Sequence, residues 1–380
     1  TPSIETMYYA KQGKYKVFNL YRRYNQQMLP KVSIVDMRQE LRRGNDSIIS
    51  EALYGEIAKN LSCGEQTILL LNRRGNSRML LCGECGEAPE CPRCSVPLTY
   101  HSANHRMMCH YCGHSEPVID HCRVCGGIMK PIGVGIQKVE EELCRLFPNL
   151  AILRMDHDTV GANRSHEKLL QRFETEKVPV LLGTQMVAKG LDFENVTLVG
   201  VLSADLSLYI DHYRAAERTF DLLAQVVGRA GRGSKQGRAM IQTFTPENDI
   251  IQAAAAQDYN AFYENEIRMR RLRRYPPFAD IFTLTVSGIE ERQVIHSAII
   301  LADALRFSVA KEEFRALEIE ILGPSAAHIV KINGRYRYHL YLVGKNCVEI
   351  RHLIAEYLYA FRQHRENRNL DIFADCNALQ

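Results

Sequence analysis

The sequence predicts an α/β protein. A parallel sheet carries helices, a cysteine-rich insertion interrupts it, and a smaller α+β domain of the ferredoxin-like kind follows. Three observations predict this. Strand-length apolar runs alternate with helix-length amphipathic segments from Thr67 to Phe244, the pattern of a parallel sheet built from strand–helix units. Four C-x-x-C pairs fall inside that pattern, between Cys82 and Cys125. Beyond Pro276-Pro277 the order becomes strand, helix, strand, strand, helix, strand, which is the split β-α-β arrangement.

Taken in order, Thr1 to Ala10 reads as a short helix behind Pro2. Tyr15–Leu20 and Val32–Met37 read as strands. Ser50 is placed to cap a helix whose apolar face is Leu53, Ile57 and Leu61. Thr67–Leu71 is a continuous apolar strand of the buried, parallel type. After the cysteines, Gly135–Phe147 is a helix with Ile136, Val139, Leu143 and Leu146 on one face. Ala151–Met155 is a strand, Ser165–Lys177 a helix capped by Ser165, and Pro179–Leu182 and Val196–Leu202 are strands. A long helix, Asp211–Arg229, ends at Gly231, and Gly237–Phe244 closes the run. A helical connector, Asp249–Arg274, leads to Pro276-Pro277, a boundary signal. The last domain reads Ile281–Ser287, Glu290–Ala310, Ile319–Leu322, Tyr336–Val343, Val348–Arg362 and Leu370–Phe373.

The cysteine block pairs as Cys82/Cys85, Cys91/Cys94, Cys109/Cys112 and Cys122/Cys125. A knuckle of this spacing aims two thiolates at one tetrahedral cation, so eight thiolates imply two zinc ions. Disulfides are the alternative, and they belong to secreted chains. Val96–His101 and His105–Met108 read as the two strands of a hairpin around Ser102-Ala103-Asn104. Such a hairpin brings Cys91/Cys94 to Cys109/Cys112 and leaves Cys82/Cys85 to share the second ion with Cys122/Cys125. The competing arrangement is sequential. Sites filled by four thiolates have no open position, so both zincs are expected to be structural. His101, His105, His110, His114 and His121 read as surface or hairpin residues rather than ligands. Cys63, Cys144, Cys347 and Cys376 are scattered and read as plain thiols.

At 380 residues the chain has room for two or three domains. No apolar run approaches membrane-spanning length, and the start is not a signal peptide, so a cytoplasmic protein is expected. The start also lacks Met, as in a piece of a longer protein. A net charge of +4 permits a nucleic-acid partner without arguing for one. The run Arg268-Met269-Arg270-Arg271-Leu272-Arg273-Arg274 is the densest basic cluster.

Two stretches carry chemistry. In Gly183-Thr184-Gln185-Met186-Val187-Ala188-Lys189-Gly190-Leu191-Asp192-Phe193 a strand ends in Gly-Thr and a short helix is expected to begin. Backbone N–H groups and a hydroxyl at such a start suit phosphate, although glycines in a β–α turn also do no more than permit the turn. In Gln225-Val226-Val227-Gly228-Arg229-Ala230-Gly231-Arg232-Gly233 two arginines lie three residues apart at a helix end. Planar guanidinium groups suit the γ-phosphate of a nucleotide. The plainer reading is a basic helix terminus answering the helix dipole.

Together these stretches resemble motifs V and VI of superfamily-two helicases, and Leu69-Leu70-Leu71-Asn72-Arg73-Arg74-Gly75 resembles motif IV. Eight cysteines directly after motif IV resemble the PriA family of bacterial replication-restart helicases. Thr1–Glu5 is similar to the residues after that family's motif III, and Gly323-Pro324 with Lys331–Arg337 to its C-terminal domain. The resemblance implies a RecA-like second helicase lobe at 51–81 and 132–250, preceded by a linker and the lobe's start at 1–50. It implies a two-zinc insertion at 82–131, a helical connector at 251–274 and a DNA-binding domain at 275–380. Arg229 and Arg232 would be arginine fingers toward ATP and Mg²⁺ held by a first lobe, with Gln225 beside them. Asp192 and Gly190 would face the nucleotide and Thr184 the tracked strand. Lys331, Arg335 and Arg337 would meet branched or single-stranded DNA, although a basic, tyrosine-bearing strand is also ordinary edge chemistry. Implied partners are DNA forks, primosome proteins and single-stranded DNA-binding protein, for a monomer in the bacterial cytoplasm.

One departure matters. Neither G-x-x-x-x-G-K-[ST] nor D-E-x-H occurs in these residues, so the chain is expected not to hydrolyse ATP alone. Two rivals stay open: a zinc-bearing DNA-binding scaffold without a motor, and another superfamily-two translocase of branched DNA.

Overall fold

A computed structural model describes residues 1–19, 29–71, 79–93, 97–101, 105–132, 135–155, 163–184, 187, 193–210, 212–231 and 235–378. The elements run α1 (Ile4–Lys11), β1 (Lys31–Asp36), α2 (Met37–Arg42), α3 (Glu51–Ser62), β2 (Gln66–Leu70), β3 (Met79–Cys82), β4 (Thr99–His101), β5 (Arg106–Met108), β6 (Ser115–Pro117) and β7 (Met129–Ile132). They continue α4 (Ile136–Leu146), β8 (Ile152–Met155), α5 (Asn163–Thr175), β9 (Val180–Gly183), β10 (Val196–Val201), α6 (Asp205–Leu208), α7 (Ala215–Val227), β11 (Arg238–Thr243), α8 (Asp249–Ala255) and α9 (Tyr259–Leu272). Last come β12 (Asp280–Gly288), α10 (Glu291–Val309), α11 (Glu312–Arg315), β13 (Glu320–Ile332), β14 (Arg335–Gly344), α12 (Val348–Gln363) and β15 (Leu370–Cys376).

Six strands form one sheet in the order β1-β11-β10-β2-β9-β8, every pair parallel. Alternate side chains of β2 show why its Ile68, Leu69 and Leu70 are all apolar. Ile68 and Leu70 enter one core with Phe220, Leu223 and Val226 of α7. Leu69 enters the other with Leu53 and Ile57 of α3 and Val139 and Leu143 of α4. Helices therefore cover both faces, as a parallel sheet requires. Ser50 does cap α3: its Oγ accepts from the Leu53 N–H at 3.2 Å.

The structure departs from the sequence reading at several ends. Residues 15–19 form no strand: they pair with no sheet, and Tyr15, Val17 and Phe18 are exposed, so no burial rewards an extended conformation there. Met37 opens α2, because the Asp36 carboxylate accepts from the Arg38 N–H and caps the helix there. Helix α5 starts at Asn163, so Ser165 lies inside it. The long helix begins at Ala215, after the short α6. The connector is two helices, broken at Gln257 in a left-handed conformation with φ 55°.

The final domain has strand order β13-β14-β12-β15, all antiparallel, the ferredoxin-like order. One sheet face packs on α10 and α12 through Leu284, Val286, Leu340 and Leu342. The opposite face packs on the cysteine-rich insertion: Ile281, Tyr341 and Val343 share a core with Leu98, Met107, Tyr111 and Met129.

The basic run splits. Arg270 is 1% exposed. Its guanidinium meets Glu217 at 2.8 Å, Glu266 at 2.8 Å and Glu5 at 3.2 Å, and donates to the Pro276 carbonyl. It joins α1, α7 and α9, and so belongs to the core. Arg268, Arg271 and Arg273 remain exposed.

Candidate metal centre and arginine turn

The sulfurs of Cys82, Cys85, Cys122 and Cys125 all lie within 4.8 Å of one another, and those of Cys91, Cys109 and Cys112 form a second such group. Cys94 lies outside the described residues. This is the nested grouping. The Sγ···Sγ separations are 3.4 Å for Cys82–Cys125, 3.7 Å for Cys85–Cys122 and 3.6 Å for Cys91–Cys112. Corners of a tetrahedron with ~2.3 Å Zn–S bonds lie about 3.8 Å apart, so the first set, and the three described sulfurs of the second, fit zinc without rearrangement. None of these described cysteines forms a disulfide.

Local backbone builds the knuckles. In three of the four knuckles the residue after the second cysteine, Gly86, Gly113 or Gly126, takes positive φ and returns its N–H to the carbonyl of the first cysteine at 2.9–3.0 Å. The N–H groups of Glu84, Val124 and Gly127 point at Cys82, Cys122 and Cys125 sulfurs, each at 3.4 Å, and favour thiolates. Burial opposes ionisation of Cys82, yet N–H donors from Cys85 and Glu84 bring its thiol to about 7. Burial pushes Cys85 up to about 12. Four such neighbours become thiolates together only around a cation.

Both groups are seated, not free-standing. Phe244 O would lie 2.3 Å from a Cβ on Gly86, so the first knuckle touches the backbone just past β11. That backbone is held by Asp205, whose carboxylate accepts from the Thr243 and Thr245 hydroxyls at 2.7 and 2.9 Å and from the Phe244 N–H at 3.1 Å. Burial pushes the Asp205 carboxyl up, against those hydrogen bonds. On the other side His110, read from sequence as superficial, is buried and its Nδ1 lies 2.9 Å from the Ala326 carbonyl. Ser325 Oγ donates to the His110 carbonyl. No pattern in the sequence announces Asp205 or His110, since their partners are remote in the chain.

The second constellation is divided between the ends of the parallel sheet. Thr184 follows β9, where Gly183 pairs with Leu70, the end of β2. Gly183 is required by contact, because a Cβ there would lie 2.3 Å from Val187 Cγ1. Arg229 sits in the turn after α7, whose last residue is Val227, so it lies beyond the helix and not on its face. Gly231 donates to the Val196 carbonyl at 3.0 Å, and Val196 pairs with Gln66, the start of β2. Five residues at ~3.3 Å each separate the two ends by about 15 Å. Gly231 has φ 69°, and its Cβ would lie 2.1 Å from Gly237 N, so the turn is locked by two glycine backbones in contact. Arg229 is half-buried and Gln225 exposed. Arg232, Gly190 and Asp192 lie outside the described residues.

Family models match this layout segment by segment: the PriA DNA helicase Cys-rich region (CRR) domain at 91–117, the helicase conserved C-terminal domain at 134–234, and the primosomal protein N C-terminal domain at 271–377. Replication restart protein PriA of Bacillus subtilis is 42% identical over 378 residues, covering 99% of this chain and 46% of that protein. The Synechocystis protein of the same name is 39% identical over 349 residues, covering 90% and 41%, and that of Rickettsia felis 36% over 346, covering 90% and 52%. This chain belongs to the PriA family. It spans about half the length of the curated relatives it matches. A solved structure, S. cerevisiae Dbp5 bound to RNA and ADP BeF3, is similar at a TM-score of 0.33 and 11% identity, over 72% of this chain and 52% of that one.

The PriA-family parts are thus a helicase C-terminal lobe, a zinc-ribbon insertion and an antiparallel C-terminal domain. In the last, the β13–β14 hairpin turns at Asn333 and Gly334, both at positive φ. Lys331 is exposed and lies over the Tyr336 ring at 4.4 Å. Arg335 is paired with Asp371 at 2.5 Å and donates to the Ser287 carbonyl, tying β14 to β12 and β15. Arg337 is half-buried on the face away from the helices. The hairpin thus holds the three basic residues in unlike settings, and only Lys331 is fully turned to solvent. No helix among the described residues is long and apolar enough to cross a membrane.

Proposed function

We propose that the chain is the C-terminal part of an ATP-dependent 3′-to-5′ DNA helicase that recognises stalled or branched replication forks and starts primosome assembly. The observation that carries this is the separation of the lobe's two motif residues: Thr184 at one end of the sheet, Arg229 at the other. The described chain resumes at Phe193 and enters β10 at Val196, beside the arginine turn. A motor lobe needs this division, since the strand it tracks and the nucleotide it burns are different ligands.

In this reading Thr184 meets the strand's phosphates, and Asp192 and Gly190 face the nucleotide. Arg229 and Arg232 stabilise charge on the transferring γ-phosphate, with Gln225 beside them. ATP and Mg²⁺ are held by a Walker-type lobe elsewhere in the full protein. The zinc insertion and the hairpin bearing Lys331, Arg335 and Arg337 meet forked DNA, primosome proteins and single-stranded DNA-binding protein. A scaffold without a motor has no use for the locked arginine turn.

The test is Arg229→Ala in a protein that joins this chain to its Walker-type lobe. DNA-stimulated ATPase falls by about 10³-fold or more, while fork binding is retained. An active Arg229→Ala enzyme removes the finger role. ATPase from residues 1–380 alone contradicts the two-lobe reading.

A further inference from the structure

A recess of about 200 Å³ opens where insertion, connector and C-terminal domain meet. Its chemistry is uneven. Arg93, at the tip of the second knuckle, and Arg273, just past α9, both line it. Both are exposed, and neither guanidinium has an ion-pair partner among the described residues. Tyr111, Tyr275 and Tyr341 line it: Tyr275 is half-buried, while Tyr111 and Tyr341, 5.4 Å apart between ring centres, belong to the shared core and are each 9% exposed. Glu320 is the one carboxylate among the described residues of the lining.

Two guanidiniums brought to one hollow from separate parts of the chain call for an anion. Aromatic wall beside them calls for a planar ring. The volume is below the roughly 300 Å³ at which pockets for drug-sized ligands begin, so one ring system with its phosphate fits and a folded peptide does not. Glu320 disfavours an acidic peptide and offers an acceptor to a base amino group. We propose that this recess is a subsite for one nucleotide of single-stranded DNA, its base against the tyrosines and its phosphate on Arg93 and Arg273. The proposal rests on the DNA-binding reading above and adds a site to it.

The probe is a single-stranded oligonucleotide carrying 5-bromodeoxyuridine, irradiated with the zinc-loaded chain of 380 residues and mapped by mass spectrometry. Adducts are expected on Tyr111, Tyr275 or Tyr341. The double variant Arg93→Gln/Arg273→Gln, exposed at both positions, keeps its zinc and circular dichroism. It lowers the slope of log affinity against log salt by about 0.7, the one phosphate that the two arginines share on a single strand. An abasic site in the probe weakens wild-type binding about tenfold. Adducts confined to other regions, with an unaltered salt slope in the variant, overturn the subsite and leave the DNA-binding reading standing. No binding of single-stranded DNA at all overturns both.

Discussion

Gly86 and Gly126 close two knuckles of one zinc site, and they separate two effects that usually come together. Both adopt positive φ, 79° and 76°. An alanine at either position therefore meets the left-handed penalty, about 1–2 kcal/mol. A Cβ on Gly126 meets nothing within 4 Å, whereas one on Gly86 meets Phe244 O at 2.3 Å and Thr245 Cγ2 at 3.0 Å. Asp205 grips that backbone, so it cannot retreat without breaking hydrogen bonds. Overpacking adds about 1–3 kcal/mol. The strain has two outlets: release of zinc, or lifting of the knuckle from the lobe. Chelator competition reads the first, and hydrogen exchange at the Phe244 and Thr245 amides reads the second. Gly126→Ala is expected to weaken zinc about 5- to 30-fold at 1.4 kcal/mol per decade, with exchange at Phe244 unaltered. Gly86→Ala is expected either to weaken zinc by about a further 5- to 150-fold or to free those amides. Identical behaviour of the two variants refutes a rigidly seated knuckle.

Metal analysis of the purified chain should give close to two zinc equivalents, and Cys85→Ser close to one; a wild-type value of one or none defeats the eight-thiolate assignment. Arg270→Met removes the cation from among Glu5, Glu217 and Glu266, and breaking such a buried network costs about 3–5 kcal/mol. Exposed Arg268→Ala should stay within about 0.5 kcal/mol, and equal thermal shifts for the two contradict a core role for Arg270. His339 is buried against Thr285, with Arg337 and His110 nearby, and burial lowers it to about 4 from 6.5. Between those values the unfolded chain binds the proton and the folded one does not. Stability should therefore be whole above pH 6.5 and fall by up to about 3 kcal/mol as pH drops toward 4. Thermal unfolding of His339→Gln across that range should show a shallower slope, and an unchanged slope assigns the effect elsewhere.

Much of this fold was legible because its signals are local. The apolar run Thr67–Leu71 marked a strand buried on both faces, and the four C-x-x-C pairs marked metal sites. Even the nested grouping followed from the short hairpin between Cys94 and Cys109. What was illegible is made by distant contacts. Arg270 looked like one arginine in a basic run, and only the arrival of Glu5 and Glu217 from far along the chain makes it a core residue. Tyr15–Leu20 has the residues of a strand, yet residues 15–19 join no sheet. Gly228 and Gly231 end α7 early, which moves Arg229 off the helix face where spacing alone had put it.

The insertion's two seats have a mechanical consequence. The chain leaves the parallel lobe after β2 and, within the insertion, already rests on β13 and β14 of the last domain. It reaches that domain covalently only later, through α8 and α9. Two bodies joined by one strut can swivel about it, but two struts and a shared wall make a triangle, which has no pivot. A torque applied to the parallel-sheet lobe is then delivered to the terminal domain as a rotation of the whole frame.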